Sequence, residues 1–164
     1  MGCGTGTLTI LIKKQQLTAE VVGMDIDPQI LELARSKVAR AGFDIALDRG
    51  SATEPPYPDD YFDRVVSSMM FHHLTLENKA RASRAAFRIL KPGGELHVAD
   101  LGRPQNILMR LVSLVTGRLE ENYDNVKGLL PEMFRAVGFE RVQETAQIMT
   151  LFGTVSLYKG RKPD

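Results

Sequence analysis

Three glycines at every second position open the sequence, at Gly2, Gly4 and Gly6. Glycine has no Cβ, so its backbone can turn tightly and a ligand can approach it closely. The apolar run behind the glycines predicts a helix over residues 5–16, whose free N–H groups and positive dipole end would face that ligand. This pattern indicates a site for a nucleotide-like cofactor, although a glycine triplet alone also fits an ordinary loop.

An acidic residue, Asp25, ends the short apolar run of residues 20–25, which is typical of a buried parallel strand. It lies roughly 20 residues after the glycines, the distance at which an acid can accept both hydroxyls of a ribose. The alternative is a solvated carboxylate that caps the next helix. The dinucleotide fingerprint needs its third glycine at position 7, where this chain has Thr7, so the spacing disfavours NAD and FAD.

Five segments of the sequence resemble motifs of one known family, and they occur in the same order and at the same spacing as in that family. They are residues 2–6, 23–27, 51–63, 67–74 and 91–96. They resemble the class I S-adenosylmethionine-dependent methyltransferases, above all the small-molecule branch that includes the ubiquinone and menaquinone biosynthesis enzymes. Beyond Gly102 the match is loose. The resemblance implies S-adenosyl-L-methionine as the cofactor, and a small, apolar or aromatic molecule as the methyl acceptor at carbon, oxygen or nitrogen.

The resemblance also implies which residues bind the cofactor. They are Gly2, Gly4, Thr5, Gly6, Asp25, Ile26, Ser51, Ala52 and Ser68. The glycine turn and Thr5 would face the methionine moiety, and Asp25 would hold the ribose. Ile26 would lie beside the adenine, Ala52 would offer it a backbone N–H, and Ser68 would contact the cofactor from the end of its strand. Relatives usually have Asp or Asn where this chain has Ser51, and losing that acceptor is expected to weaken adenine binding by roughly 1.5–3 kcal/mol at most.

Two adjacent histidines, His72 and His73, are the candidates for a general base, because imidazole exchanges protons near neutral pH. The alternative is that one is packed and the other exposed at a helix start. A base is dispensable in that case, since a sulfonium methyl donor is already activated and orientation alone accelerates transfer. We expect His97, in a buried strand, to be structural. The residues expected to line the acceptor's pocket are Met69, Met70 and Phe71.

The elements that must position these residues alternate between strands and helices. Strands are predicted at residues 20–25, 44–47, 62–68, 95–101, 142–149 and 153–159, and helices at residues 5–16, 28–41, 76–90, 106–115 and 129–137. This order predicts an α/β, Rossmann-like, doubly wound and mostly parallel sheet with a terminal antiparallel hairpin. A turn is expected at residues 91–94 and loops at residues 51–60 and 120–127. The apolar helix 106–115 either packs in the core or covers the acceptor.

In the family the glycine turn follows an apolar first strand, whereas this sequence begins at the turn, with Met1 directly before the first glycine. We therefore expect the sheet to lack its usual first strand. Residues 1–164 would form a single methyltransferase-like, cofactor-binding domain that is incomplete at its N-terminus. Either the chain is a fragment, including one whose start was assigned too far downstream, or it is a minimal variant whose remaining strands close the gap.

The composition of the chain bears on its binding partners, its compartment and metal binding. A chain of 164 residues with net charge +1 carries no electrostatic footprint for nucleic acid, and no apolar run approaches the length of a membrane span. The single cysteine, Cys3, fits a reducing, cytoplasmic compartment, and the three histidines show no metal-ligand spacing. The oligomeric state stays open. The alternatives to a methyltransferase are a non-catalytic S-adenosylmethionine-binding fragment or regulatory partner and, less favoured, an NAD-binding oxidoreductase.

Overall fold

The computed structural model describes residues 1–103, 128–150 and 153–164. The chain divides into two compact units, residues 1–56 and residues 57–164. The helix expected at residues 106–115 and the loop expected at residues 120–127 lie outside the described residues. No described helix is long and apolar enough to cross a membrane.

The first unit contains two helices and two strands in alternation. They are α1 (Thr7–Gln15), β1 (Val22–Asp25), α2 (Pro28–Ala41) and β2 (Ala46–Arg49). The two strands pair in parallel, with Asp25 opposite Arg49 at their carboxyl ends. Since ligands of parallel α/β sheets bind at the carboxyl ends of the strands, this edge is where chemistry is expected.

Helix α2 begins and ends where its sequence dictates. The Asp27 side chain accepts the backbone N–H groups of Gln29 and Ile30, and Pro28 occupies the first turn, where its missing N–H costs nothing. The helix stops at Gly42, whose φ of 70° is the left-handed conformation that glycine favours. Its buried side consists of Leu31, Ala34 and Val38.

We expect Asp27→Ala to lower the free energy of unfolding by about 1 kcal/mol, because two N–H groups lose their cap. Urea denaturation followed by circular dichroism measures this change. Asp44→Ala, which removes an exposed carboxylate from the loop after the same helix, is the matched control and should leave the transition unmoved. Equal transitions for the two variants would show that the cap contributes nothing.

The second unit is built on a four-stranded sheet. Its described residues form β3 (Phe62–Ser68), a 3-10 turn (Phe71–His73), α3 (Leu76–Ile89), β4 (Leu90–Leu101), α4 (Leu130–Val137), β5 (Glu140–Thr150) and β6 (Gly153–Arg161). The strand order is β3-β4-β6-β5, parallel between β3 and β4 and antiparallel elsewhere. The predicted terminal antiparallel hairpin is therefore confirmed.

One predicted boundary is wrong. The turn expected at residues 91–94 belongs to β4, which begins at Leu90 directly after α3. The reason is backbone pairing: Gly93 donates its N–H to the Lys162 carbonyl, and Lys162 donates its own to the Gly94 carbonyl. These bonds continue the ladder through the glycines. The other described elements lie within two residues of their predicted ends.

Four phenylalanines build much of the second unit's core. Phe71 meets Phe134 edge to face with ring centroids 5.8 Å apart. Phe139 contacts Phe134 at 6.2 Å and Phe87 at 5.1 Å in the same manner. Edge-to-face pairs at these distances stabilise beyond the area they bury. Because Phe71 opens the 3-10 turn, the cluster also fixes the segment that carries the two adjacent histidines.

Candidate functional site

The glycine turn has the backbone conformation that its residue type predicts. Gly2, Gly4 and Gly6 have φ values of 65°, 53° and 76°, in the left-handed region that other residues enter only at a cost. Gly6 is also the N-cap of α1, and a Cβ added there would lie 3.3 Å from the Cβ of Ala34 on α2. Glycine is thus required at position 6 both by conformation and by helix packing.

The carboxylate of Asp25 ties this turn to the end of β1. Its Oδ2 accepts the Gly4 N–H at 2.8 Å, and its Oδ1 accepts the Asp27 N–H at 3.1 Å. The Cys3 N–H donates to the Met24 carbonyl at 2.9 Å and continues the attachment. A carboxylate can accept about four hydrogen bonds, so both oxygens keep capacity for further donors such as a pair of hydroxyls.

The Ser51 turn lies at the same edge of the first unit's sheet. The Gly50 N–H donates to the Asp25 carbonyl at 3.0 Å, which holds the start of this turn against β1. The Ser51 hydroxyl accepts the Thr53 N–H at 3.2 Å and lies 2.8 Å from the Thr53 hydroxyl. Ala52 is partly exposed, and Ile26 has 63% of its surface exposed.

A residue that sequence reasoning missed, Lys37, contacts the glycine turn from α2. Its Nζ donates to the hydroxyls of Thr5 at 2.7 Å and Thr7 at 3.3 Å. These threonines flank Gly6, so Lys37 holds both sides of the α1 N-cap. Nothing in the sequence distinguishes this lysine from a solvated one, because its partners lie 30 and 32 positions away.

Cys3 is unsuited to act as a nucleophile. Burial, and next the negative charge of Asp25, raise the pKa of its thiol. A raised pKa keeps the neutral thiol in place of the reactive thiolate at neutral pH. Its Sγ packs instead beside Gly23, where an added Cβ would lie 3.2 Å from it.

In the second unit, a fully buried carboxylate at the end of β4 gathers the segment after β3. Asp100 has 0% of its surface exposed, and its Oδ2 accepts the N–H groups of Met70 at 3.0 Å and Phe71 at 2.8 Å. Its Oδ1 accepts the Leu101 N–H at 2.8 Å and lies 2.9 Å from His72 Nδ1. The sequence analysis did not assign Asp100 a role.

The other predicted residues of this unit lie at the end of β3 and in the segment that follows it. Ser68 ends β3 opposite Ala99, and Met69 follows with an unusual φ of 53° while its N–H donates to the Ala99 carbonyl at 2.8 Å. The His72 side chain is 11% exposed and its ring centroid lies 3.9 Å from that of the exposed His73. One histidine is therefore packed and one exposed, as the alternative interpretation expected.

Phe71 is buried, whereas His97 is partly exposed. Phe71, expected in the acceptor's pocket, has 1% of its surface exposed and packs in the aromatic core; its role in a pocket stays a prediction. His97 was expected inside a buried strand, yet its side chain is 41% exposed and lies 3.2 Å from a Glu95 oxygen. The strand alternates, so Leu96 and Val98 face the core while His97 lies on the other face. Glu95, which His97 contacts, has a lowered pKa, chiefly because its carboxylate accepts a hydrogen bond from Lys159.

Comparison with known proteins decides the family. Residues 1–94, more than half of the chain, match the family described as a methyltransferase domain. The chain belongs to the S-adenosylmethionine-dependent methyltransferases. The family resemblance, the Rossmann-like α/β fold class and S-adenosyl-L-methionine as the cofactor are thereby confirmed. The glycine turn and the Asp25 edge both lie within the matched residues.

Individual relatives agree with this family assignment. The chain is 30% identical over 187 residues to the ubiquinone/menaquinone biosynthesis C-methyltransferase UbiE of Proteus mirabilis, covering 97% of this chain and 71% of that protein. A solved S-adenosylmethionine-dependent methyltransferase from Methanosarcina mazei superimposes with a TM-score of 0.78 at 19% identity, covering 99% and 90% of the two chains. The [4+2]-cyclase SpnF superimposes with a TM-score of 0.76 at 20% identity, covering 99% and 72%. Since a cyclase shares the fold, the fold alone does not name the reaction.

Proposed function

We propose that this methyltransferase transfers the methyl group of S-adenosyl-L-methionine to a small, apolar or aromatic molecule. The observation that carries the proposal is the bond from the Gly4 N–H to the Asp25 carboxylate, which prearranges the glycine turn and a ribose acceptor at one edge. The likeness to a quinone-biosynthesis C-methyltransferase supports the choice of acceptor class.

Within this proposal, the first unit supplies most contacts to the cofactor. The glycine turn and Thr5 hold the methionine moiety, since the turn presents backbone N–H groups at the start of α1. Asp25 accepts the ribose hydroxyls with the capacity that Gly4 and Asp27 leave on its oxygens. The exposed side chain of Ile26 offers an apolar surface to the adenine. The remaining proposed contacts, carried over from the family resemblance, are Ser51, Ala52 and Ser68.

The bound cofactor supplies an activated methyl group on a positively charged sulfur. The protein's own task is to orient the acceptor and to exclude water, and good orientation is worth effective molarities on the order of 10⁵–10⁸ M. Side chains of the segment after β3 are proposed to line the acceptor's pocket: Met69, Met70 and Phe71. The partly exposed Met69 suits an irregular apolar ligand, because methionine adapts its shape.

Ser51→Asp is expected to tighten binding of S-adenosyl-L-methionine, because it introduces the acidic acceptor for the adenine amine that the family resemblance implies at this position. The expected gain is about 1 kcal/mol, or roughly 5-fold in Kd. An aspartate at this position can keep the bond from the Thr53 N–H that the Ser51 hydroxyl now accepts. Isothermal titration calorimetry measures the effect, and Ser51→Ala serves as the control. Weaker binding by the aspartate variant than by the alanine variant would place the adenine elsewhere.

The proposed function is tested by calorimetric titration with S-adenosyl-L-methionine and its demethylated product, combined with methyl transfer from the labelled donor to a panel of phenols, hydroquinones and amines. We expect saturable binding of both and turnover of at least one aromatic acceptor. Binding without turnover of any acceptor would favour the alternative of a non-catalytic binding protein. Absence of binding would contradict the proposal, and enhanced fluorescence of bound NADH would point to an oxidoreductase.

We further propose that the protein works in the cytoplasm on a small-molecule substrate without a nucleic-acid partner. A single cysteine allows no internal disulfide, which fits a reducing compartment. A net charge of +1 gives no basic footprint for a phosphate backbone. An electrophoretic mobility shift assay with mixed RNA and DNA tests whether the protein binds nucleic acid, and we expect no complex.

A further inference from the structure

Two residues on successive turns of α2, Ala34 and Lys37, contact the end of the glycine turn. A Cβ added at Gly6 would lie 3.3 Å from the Cβ of Ala34, and Lys37 Nζ donates to the hydroxyls of Thr5 at 2.7 Å and Thr7 at 3.3 Å. Side chains three positions apart lie on one face of a helix. One face of α2 therefore meets three consecutive residues of the turn, all within the first unit.

The glycine turn gains from such support because its backbone is intrinsically free. Gly4 and Gly6 have φ values of 53° and 76°, and glycine loses more conformational freedom on ordering than any other residue. The Asp25 carboxylate holds the first of them by accepting its N–H at 2.8 Å. Lys37 holds the residues on either side of the second. A turn that is ordered before the ligand arrives binds it at a lower entropic cost.

We propose that Lys37 is a positioning residue for the methionine half of S-adenosyl-L-methionine. This inference rests on the proposed function, in which the glycine turn and Thr5 hold that half of the cofactor while Asp25 accepts the ribose hydroxyls. Lys37 acts through the hydroxyls of Thr5 and Thr7, and it thereby fixes the backbone that faces the amino acid. Binding of a ligand that carries the amino acid depends on Lys37, whereas binding of the nucleoside part does not.

Calorimetric titration of S-adenosyl-L-methionine into Lys37 variants tests this contact. Lys37→Met keeps most of the aliphatic stem and the helix propensity but donates no hydrogen bond, so we expect a Kd higher by about 3- to 10-fold. Lys37→Arg still donates to hydroxyls and should stay within about 2-fold of the wild type. Lys14→Met, at the exposed far end of α1, is the matched control and should equal the wild type. An equal Kd for Lys37→Met and the wild type would overturn the proposal.

A second ligand, methylthioadenosine, separates positioning of the methionine half from a general role in helix packing. It contains the adenine, the ribose and the sulfur of the cofactor but no amino acid. Lys37→Met should leave the Kd for methylthioadenosine unchanged, whereas Asp25→Ala should raise the Kd for both ligands. A lysine that only packs α2 against α1 would affect both ligands alike. An equal loss for the two ligands in Lys37→Met would therefore overturn the proposal.

Wild-type titrations distinguish failure of this inference from failure of the proposed function. Wild-type protein that binds neither S-adenosyl-L-methionine nor methylthioadenosine contradicts the proposed function and the inference with it. Wild-type protein that binds both ligands, with Lys37→Met unaffected, contradicts the inference alone. Because Lys37 is exposed, its substitution should leave the urea-induced unfolding transition in place, which keeps a loss of binding distinct from a loss of folding.

Discussion

Asp25→Ala is expected to raise the Kd for S-adenosyl-L-methionine by roughly 10- to 150-fold, which corresponds to about 1.5–3 kcal/mol. In the proposed site the carboxylate accepts the ribose hydroxyls, and charged acceptors form the stronger hydrogen bonds. The same carboxylate holds the Gly4 N–H at 2.8 Å and the Asp27 N–H at 3.1 Å. The substitution therefore removes a ligand contact and also releases the glycine turn.

Isothermal titration calorimetry measures this loss, with circular dichroism to confirm that the variant is folded. Asp25→Asn separates the two effects, because its amide keeps one accepting oxygen but points a donor at the other partner. We expect its affinity to fall between those of the wild type and Asp25→Ala. Asp44→Ala, which removes an exposed carboxylate of the same unit, is the charge control. An unchanged Kd in folded Asp25→Ala would mean that the ribose binds elsewhere.

Phe71→Ala is expected to lower the free energy of unfolding by about 3–5 kcal/mol, the usual cost of emptying a buried phenylalanine site. The ring has 1% of its surface exposed and meets Phe134 edge to face at 5.8 Å. Its backbone N–H is also one of the donors to Asp100. A collapse around the missing ring is thus expected to shift the turn that carries His72.

Urea denaturation gives the free energy of unfolding, and Phe71→Leu is the matched variant. Leucine fills most of the cavity, so Phe71→Leu should lower the free energy of unfolding by less than about 1.5 kcal/mol. Tyr61→Ala removes an aromatic ring from an exposed position of the same unit and should cost less than either. If Phe71→Ala costs no more than Tyr61→Ala, the aromatic core does not depend on Phe71, and its predicted place in the acceptor's pocket becomes the better interpretation.

Local sequence determined much of the first unit. The spacing of Gly2, Gly4 and Gly6 predicted a turn, and all three adopt the left-handed conformation that only glycine enters without cost. The apolar run that ends at Asp25 predicted a parallel strand, and its carboxylate lies against that turn. These features follow from backbone sterics and from short-range hydrophobic patterns, which a sequence displays directly.

Tertiary structure alone decided which distant groups meet. Asp100 reaches His72 across 28 positions, and Lys37 reaches Thr5 across 32, because strand pairing and helix packing bring their backbones together. A sequence pattern records burial and periodicity but not which polar atoms face one another after folding. The sequence likewise predicted a pocket position for Phe71 because it follows Met69 and Met70. It did not show the contact with Phe134, which places the Phe71 ring in the core. The sequence thus predicted the residue types of the candidate site, and the fold set the partner of each.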